Sequence, residues 1–110
     1  MDEYSIRITR QARDHLREIR RYIEHELLAP IAAKNTIAAI KAEIESLGHV
    51  PSRIHLTPDQ PWHDQGVRRV CVKNYYIYFW IDEENKKVQI IAVIYVRRDQ
   101  ARQLEMINNK

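Results

Sequence analysis

The chain is poor in cysteine and glycine, and it contains no long apolar run. Its single cysteine, Cys71, excludes an intramolecular disulfide. Two glycines and four prolines among 110 residues are too few for a disordered or low-complexity polymer. No stretch approaches the ~18 consecutive apolar residues of a membrane span, and the first residues show neither the basic nor the apolar region of a signal peptide. We therefore expect a folded cytoplasmic protein without a membrane partner.

Histidines are present but do not form a metal-binding pattern. The five histidines are scattered, without the paired spacing of a zinc site, so neither a metal nor another cofactor is expected. Hydrophobic residues make up 45% and charged residues 30% of the chain, a balance typical of globular proteins. Because 110 residues leave room for one modest core, we predict a single domain over residues 1–110 and exclude a second catalytic domain.

The net charge of +3 is unevenly distributed along the chain. Residues 1–50 contain eight basic and eight acidic side chains, whereas residues 66–110 contain nine basic and five acidic ones. A basic carboxy-terminal half predicts an anionic partner, either a nucleic acid or an acidic protein segment. A solvated surface without a partner is the alternative for so small an excess.

The first half of the chain has the periodicity of a short strand followed by two helices. Apolar and polar residues alternate over 4–9, which predicts a half-buried strand. Apolar residues then recur at steps of three and four over 10–27, and again over 30–47, where Pro30 suits the first turn of the second helix. Gly48 and Pro51 end the second helix. This order predicts an antiparallel helical hairpin.

The second half alternates with the period of strands. Residues 67–73, 75–81 and 88–96 read as three strands with short connections, which favour an antiparallel meander. The N-terminal strand is too short to be stable alone, so we expect it to join this sheet. The predicted fold is therefore α+β, with the helical hairpin packed on one face of the sheet. The loop over 49–66 is either a functional loop or a plain crossover from helix to sheet.

Alternation also assigns the strand residues to the two faces of the sheet. Val70, Ile77 and Ile90 suit the covered face, and Ala92, Ile94 and Val96 follow on the same alternation. The opposite face is then open, basic and aromatic, since burying arginine and lysine without partners costs several kcal/mol. We expect this open face to carry Arg69, Cys71, Lys73, Tyr76, Tyr78, Trp80, Gln89, Ile91, Val93, Tyr95 and Arg97.

Cations interleaved with aromatic rings are typical of RNA-binding surfaces, because cations neutralise phosphates and rings stack on bases. The candidate nucleic-acid-binding residues are Arg68, Tyr76, Tyr78 and Trp80. Metal-free RNA cleavage also needs charge for the phosphorane and groups that transfer protons. The candidate catalytic residues for those roles are Arg69, Lys73, Tyr95, Arg97 and Arg98, with Tyr78 as a second proton-transfer candidate. Aromatic residues that simply pack against one another are the structural alternative.

Five segments in this order resemble the RelE/ParE toxins of bacterial type II toxin–antitoxin modules. They are Tyr4–Ala12, Ile19–Ile23, Gly66–Val70, Tyr75–Phe79 and Val93–Asp99. The resemblance covers nearly the whole chain. It implies the fold predicted above and a cognate acidic antitoxin that folds on binding. RelE-like members are ribosome-dependent mRNA endonucleases, whereas ParE-like members share the fold and poison DNA gyrase.

The resemblance leaves the choice between these branches open. It implies that Arg69 matches an arginine common to both, and that Arg97 and Arg98 end the last strand. The nucleases place a tyrosine after that point, which this chain lacks; Arg-Arg-Asp looks more like the ParE branch. Lys73 and the basic face fit RNA, and Tyr95 could replace the absent tyrosine.

Three functions therefore remain in view. An mRNA endonuclease acting on the ribosome is favoured, mainly by the basic and aromatic face. The alternatives are a gyrase inhibitor that binds through the helical hairpin and residues 97–105, and a degenerate toxin that binds only its antitoxin.

Overall fold

The structure, a computed structural model, describes residues 3–106 and is built on a sheet of four strands. The strands are β1 (Ser5–Ile8), β2 (Arg68–Val72), β3 (Tyr75–Asp82) and β4 (Lys87–Tyr95), and the helices are α1 (Arg10–Arg21), α2 (Pro30–Ser46) and α3 (Gln100–Glu105). The strand order is β1-β4-β3-β2, with β1 parallel to β4 and the other pairs antiparallel. The predicted α+β fold is confirmed. The ends of the predicted domain, residues 1–2 and 107–110, lie outside the described residues.

The helical hairpin begins and ends close to the predicted residues. The Thr9 hydroxyl caps α1 by accepting a hydrogen bond from the backbone amide of Ala12 at 3.3 Å. The helix continues as a π-helical turn, Tyr22–Glu26, before α2 starts at Pro30. Within residues 3–106, no helix combines the length and the apolar character needed to cross a bilayer.

The main core lies between the sheet and the two long helices. Side chains from one stripe of each helix meet the side of β3 and β4 that carries Ile77, Phe79, Val88 and Ile90. The buried helical partners are Ala12, Leu16, Ile40, Ile44 and Leu47. This arrangement confirms that the hairpin packs on one face of the sheet, as the helical and strand periodicities predicted.

A β-bulge in β4 exchanges the two faces of the strand beyond Ile91. Phe79 pairs with Ile90 and Tyr78 pairs with Ala92, so Ile91 is an extra residue opposite the Tyr78–Phe79 step. Val93 consequently lies in the main core at 3% exposure. The assignment of Val93 to the open face was therefore wrong, because strict alternation cannot register an inserted residue.

The same bulge moves the neighbouring residues of β4. Ala92 and Ile94, which were assigned to the helix-covered face, are buried on the opposite face. Tyr95, which was assigned to the open face, pairs with Tyr75 on the helix side, and their ring centroids are 5.5 Å apart. The inserted residue Ile91 causes both differences, as it does for Val93.

The face predicted to be open is a second core. Trp62 from the long loop over 49–66, Val67 just before β2, and Leu104 from α3 pack against Tyr78 and the buried residues of β4. The loop is held to β2 by backbone hydrogen bonds, including one at 3.3 Å from the amide of Arg69 to the carbonyl of His55. The long loop and α3 thus cover much of the sheet face that alternation left exposed.

His15 of α1 supports the strand just beyond the bulge. Its Nδ1 accepts a hydrogen bond from the amide of Val93 at 3.1 Å, which places the proton of the neutral ring on Nε2. Burial lowers the pKa of His15, against the opposing effect of the carboxylates of Glu18 and Asp14. The structure therefore requires the neutral imidazole.

We predict that Val93→Ala destabilises the fold by about 2 kcal/mol, because it removes buried methyl groups and leaves a cavity. Gln89→Ala, at a position that strict alternation places on the same face as Val93, should change the free energy of unfolding by about 0.5 kcal/mol or less. Urea unfolding of both variants measures this difference. Equal effects of the two substitutions would contradict the face exchange at Ile91.

Stability should also fall with acidification through His15. Since the folded-state pKa is depressed, its contribution is complete above the unfolded value of about 6.5 and is lost as the pH falls below that value. Protonation also removes the acceptor of the Val93 amide, a hydrogen bond worth about 1 kcal/mol. Urea unfolding at pH 7.5 and pH 5 should show a smaller loss in His15→Gln than in the wild type. An identical loss would contradict this role.

Candidate functional site

Arg69 of β2 is tied to its surroundings on the second core face. Its guanidinium lies 3.9 Å from the centroid of the Tyr76 ring, and its Nη1 is 3.6 Å from Oδ2 of Asp59. The side chain is 20% exposed. The cation is therefore stacked on one ring and paired with one carboxylate, an arrangement that holds the loop carrying Asp59 against the sheet.

Tyr78 is fully buried beside this cluster and connects the sheet to α3. Its hydroxyl donates to Oε1 of Gln100 at 2.9 Å. The amide nitrogen of Gln100 in turn donates to the backbone carbonyls of Tyr95 at 2.7 Å and Arg98 at 2.9 Å. Burial raises the pKa of Tyr78, although a hydrogen bond and the charge of Arg69 oppose the shift. Tyr78 is thus a neutral donor whose ring is inaccessible to a stacking base.

The other predicted nucleic-acid-binding residues have unequal access to a ligand. Arg68 donates to the carbonyl of Ile54 at 2.6 Å, a contact that holds the long loop at the sheet edge. Tyr76 is partly buried under the guanidinium of Arg69. Trp80 retains 40% exposure, and its ring lies beside Gly66. Trp80 is thus the one exposed ring among the predicted stacking residues, because Tyr76 is partly buried and Tyr78 is fully buried.

A groove of about 710 Å³ lies between α1 and the adjoining ends of β2, β3 and β4. Three of the predicted catalytic residues line it, namely Lys73, Tyr95 and Arg98. Lys73 and Asn74 form the tight β2–β3 turn with left-handed backbone angles, φ 52° and 67°. Tyr95 reaches the groove because the bulge turns it to the helix side. The bulge therefore separates Tyr95 from Arg69.

The groove combines charge of both signs with an apolar rim. Glu18 and His15 of α1 line it together with the cations of Lys73 and Arg98. At its end, Tyr22 and Leu27 are 54% and 55% exposed. Burial raises the pKa of Tyr75 in the groove wall, and its neighbours Tyr95 and Tyr22 add to the shift. A mixed surface of this kind suits an amphipathic peptide segment.

Six of the predicted site residues form two separate groups. Arg69, Tyr76 and Tyr78 belong to the second core face, and Lys73, Tyr95 and Arg98 line the groove. Arg97 is exposed and does not line the groove. Sequence reasoning missed His15, Asp59 and Gln100. His15 could have been found from its place beside the apolar stripe of α1, whereas nothing in the sequence connects Asp59 or Gln100 to the sheet.

Solved structures from several toxin–antitoxin systems are similar to this fold. The chain matches one from a chromosomal ParDE system of P. aeruginosa with a TM-score of 0.72 and 22% identity, over 88% of this chain and 100% of that one. It matches one from the RelBE2 toxin–antitoxin complex of Mycobacterium tuberculosis with a TM-score of 0.62 and 21% identity, over 84% and 98%. A mutant of the E. coli toxin RelE in the free state matches with a TM-score of 0.60 and 12% identity, over 92% of each chain.

Comparison with protein families is more specific. No curated protein matches the chain significantly. A family model described as the ParE toxin of the type II toxin–antitoxin system, parDE, matches residues 6–100. This match and the shared fold confirm the resemblance to the RelE/ParE toxins. Because the family model spans most of its length, the chain belongs to the ParE toxin family of type II toxin–antitoxin systems.

Proposed function

We propose that this toxin inhibits DNA gyrase in the cytoplasm by binding it, without cleaving nucleic acid, and that a cognate acidic antitoxin holds it inactive. One observation carries the proposal. The basic and aromatic face that would have bound and cleaved RNA is a second core, in which Arg69 is paired with Asp59 and stacked on Tyr76. The endonuclease hypothesis depends mainly on an open basic and aromatic face. Because that face is buried, the ParE-like activity is favoured.

The positions of the charged and proton-transferring groups support binding over chemistry. Cleavage by a ribose 2′-hydroxyl needs a base, a cation and an acid within hydrogen-bond reach of one phosphate. Arg69 and Tyr78 lie on the second core face, whereas Tyr95 pairs with Tyr75 on the helix side. Arg98, beyond the end of β4, lines the groove together with Tyr95, and Arg69 and Tyr78 do not line it. In addition, the raised pKa of Tyr78 and its donation to Gln100 suit a structural phenol rather than a general base.

The endonuclease remains the second candidate because of the groove. Lys73 and Arg98 could neutralise a phosphate there, and the Tyr95 hydroxyl could transfer a proton, so three of the five proposed catalytic side chains share one surface. Tyr95 is 39% exposed, which leaves its hydroxyl within reach of a ligand. RNA cleavage would then take place in the groove, and Arg69 would have only the structural role of holding the Asp59 loop against the sheet.

The groove also supports the proposed antitoxin contact. Its lining includes the exposed apolar side chains of Tyr22 and Leu27, and two exposed cations: Lys73 of the β2–β3 turn and Arg98 beyond the end of β4. An acidic amphipathic segment would match both properties, with apolar side chains on the rim and carboxylates near Lys73 and Arg98. Two of the similar structures are named as ParDE and RelBE2 toxin–antitoxin assemblies.

Induction of the chain alone in a bacterial host should arrest growth and relax a reporter plasmid, while primer extension finds no new ends in translated mRNA. Tyr95→Phe is the discriminating variant, because it removes only a partly exposed hydroxyl. It should leave gyrase inhibition unchanged within about twofold. If the groove cleaved RNA, losing a proton-transferring group should reduce cleavage by about 10²-fold or more.

New ends within codons, with supercoiling unchanged, would contradict gyrase inhibition and establish the groove as a nuclease site. Normal growth would contradict both and leave a degenerate toxin. Purified gyrase provides a second readout, since the toxin should inhibit supercoiling in the absence of ribosomes.

The antitoxin contact can be tested with the product of the adjacent reading frame. Tyr22→Asp should weaken its binding by about 30-fold, since an aromatic anchor at an interface contributes about 2 kcal/mol. Leu28→Asp is the matched control: Leu28 is 82% exposed, does not line the groove, and has a left-handed φ of 51° that aspartate tolerates. Calorimetry should find equal affinities for the control and the wild type. Equal losses in the two variants would contradict the groove as the binding surface.

A further inference from the structure

We propose that the outer flank of α1 binds the phosphate backbone of a nucleic acid duplex, independently of sequence and of gyrase. The surface is formed by five exposed arginines, defined here as the arginine stripe: Arg7 of β1 and Arg10, Arg13, Arg17 and Arg20 of α1.

The arginine stripe is continuous on the surface. Its four helical members are spaced by three, four and three residues, which places them along one side of the helix. Four of the five arginines, all except Arg20, line one open hollow together with Ile8 and Asp14. The rise from Arg10 to Arg20 is about 15 Å, roughly the axial length of four base pairs. The helix thus presents cations over a length that several phosphates of one strand would occupy.

This flank is strongly basic although the charges of residues 1–50 sum to zero. Residues 7–21 contain six arginines and two acids, a net charge of +4, which exceeds the +3 of the whole chain. The balancing carboxylates lie elsewhere in the half, and Glu18 lines the groove on the other flank of α1. The helix therefore directs Glu18 away from the arginines of its own segment.

Most of these guanidinium groups are not engaged within the fold. Arg17 pairs with Asp14 at 2.9 Å, and Arg7 donates to Gln89 at 2.9 Å. Among residues 3–106, the side chains of Arg10, Arg13 and Arg20 have no hydrogen bond or ion pair. Their planar donors match the oxygens of phosphate in a bidentate geometry.

The composition of the flank favours a phosphate backbone over an acidic protein. A specific protein interface needs apolar or aromatic anchors near its centre. The large exposed apolar side chains of residues 3–106 begin at Tyr22, so the stripe between Arg7 and Arg20 includes none of them. Single-stranded nucleic acids also bind through aromatic stacking, which the stripe cannot provide. Contacts from arginine to duplex phosphates need neither feature.

The test uses the purified full chain and a fluorescent 20-base-pair DNA duplex, followed by anisotropy at several salt concentrations. The wild type should bind with micromolar affinity near 50 mM salt, as sequence-independent phosphate contacts do. Replacing three stripe arginines together (Arg10→Gln, Arg13→Gln and Arg17→Gln) should weaken binding at least tenfold. The slope of log K against log salt should fall by about 3, since each phosphate contact contributes about 0.9.

The matched control removes the same net charge from other exposed positions: Lys34→Gln, Lys41→Gln and Lys87→Gln. It should bind within about twofold of the wild type. Equal behaviour of the two triple variants, or no binding by a wild type whose circular dichroism melt is normal, would overturn the proposal. A melt that is unchanged in the stripe variant separates lost binding from lost folding.

Three competitors identify the ligand chemistry. An RNA duplex of the same sequence should compete within about threefold, because the phosphate backbone is common to both duplexes. Failure of the RNA duplex to compete would overturn a contact made to the backbone alone. A single strand or a polyglutamate peptide of equal charge that competed as well as the duplex would overturn duplex binding. The assay contains no gyrase, so its outcome is separate from that of the proposed function.

Discussion

The extra residue at Ile91 determines how the sheet can be used on both faces. It lets β4 bury Val88 and Ile90 under the helices and then, beyond the bulge, bury Ala92 and Ile94 on the other side. One strand thereby supplies two cores. A bulge interrupts the hydrogen bonding between strands and leaves backbone groups that need other partners. The imidazole of His15 is one such partner, because it accepts a hydrogen bond from the Val93 amide. A change that removed the bulge would disturb the main core, the second core and the groove together.

The second core explains why the cations of this toxin serve different purposes. Arg69 and Arg68 both hold the long loop against the sheet. Arg69 pairs with the carboxylate of Asp59 and stacks on the Tyr76 ring, and Arg68 donates to the backbone carbonyl of Ile54. Lys73 and Arg98 line the groove. A charged residue in a predicted strand is therefore weak evidence for catalysis until its partners are known. The sequence does not distinguish a cation paired within a loop contact from an unpaired cation in a groove.

Helix α1 carries two different surfaces on its two flanks. The flank toward the groove presents His15 and Glu18 beside an apolar rim, and the opposite flank presents the arginine stripe. The two surfaces lie on different sides of one rigid element. Occupation of the groove by an antitoxin would therefore leave the arginine stripe accessible, so the proposed duplex contact and the proposed antitoxin contact are sterically compatible.

The periodic parts of this fold could be predicted from sequence, and the aperiodic parts could not. Two stripes at helical spacing and three alternating runs determined the hairpin, the meander and their shared core, because burial selects every third or fourth residue of a helix and every second residue of a strand. Only the tertiary structure decided where Val93, Ala92 and Tyr95 point, since one inserted residue reverses every side chain after it. The cover of the second face depended on Trp62 and Leu104, which belong to a loop and a six-residue helix without a readable period. The pairing of Arg69 with Asp59 required the same long-range closure, which local pattern does not encode.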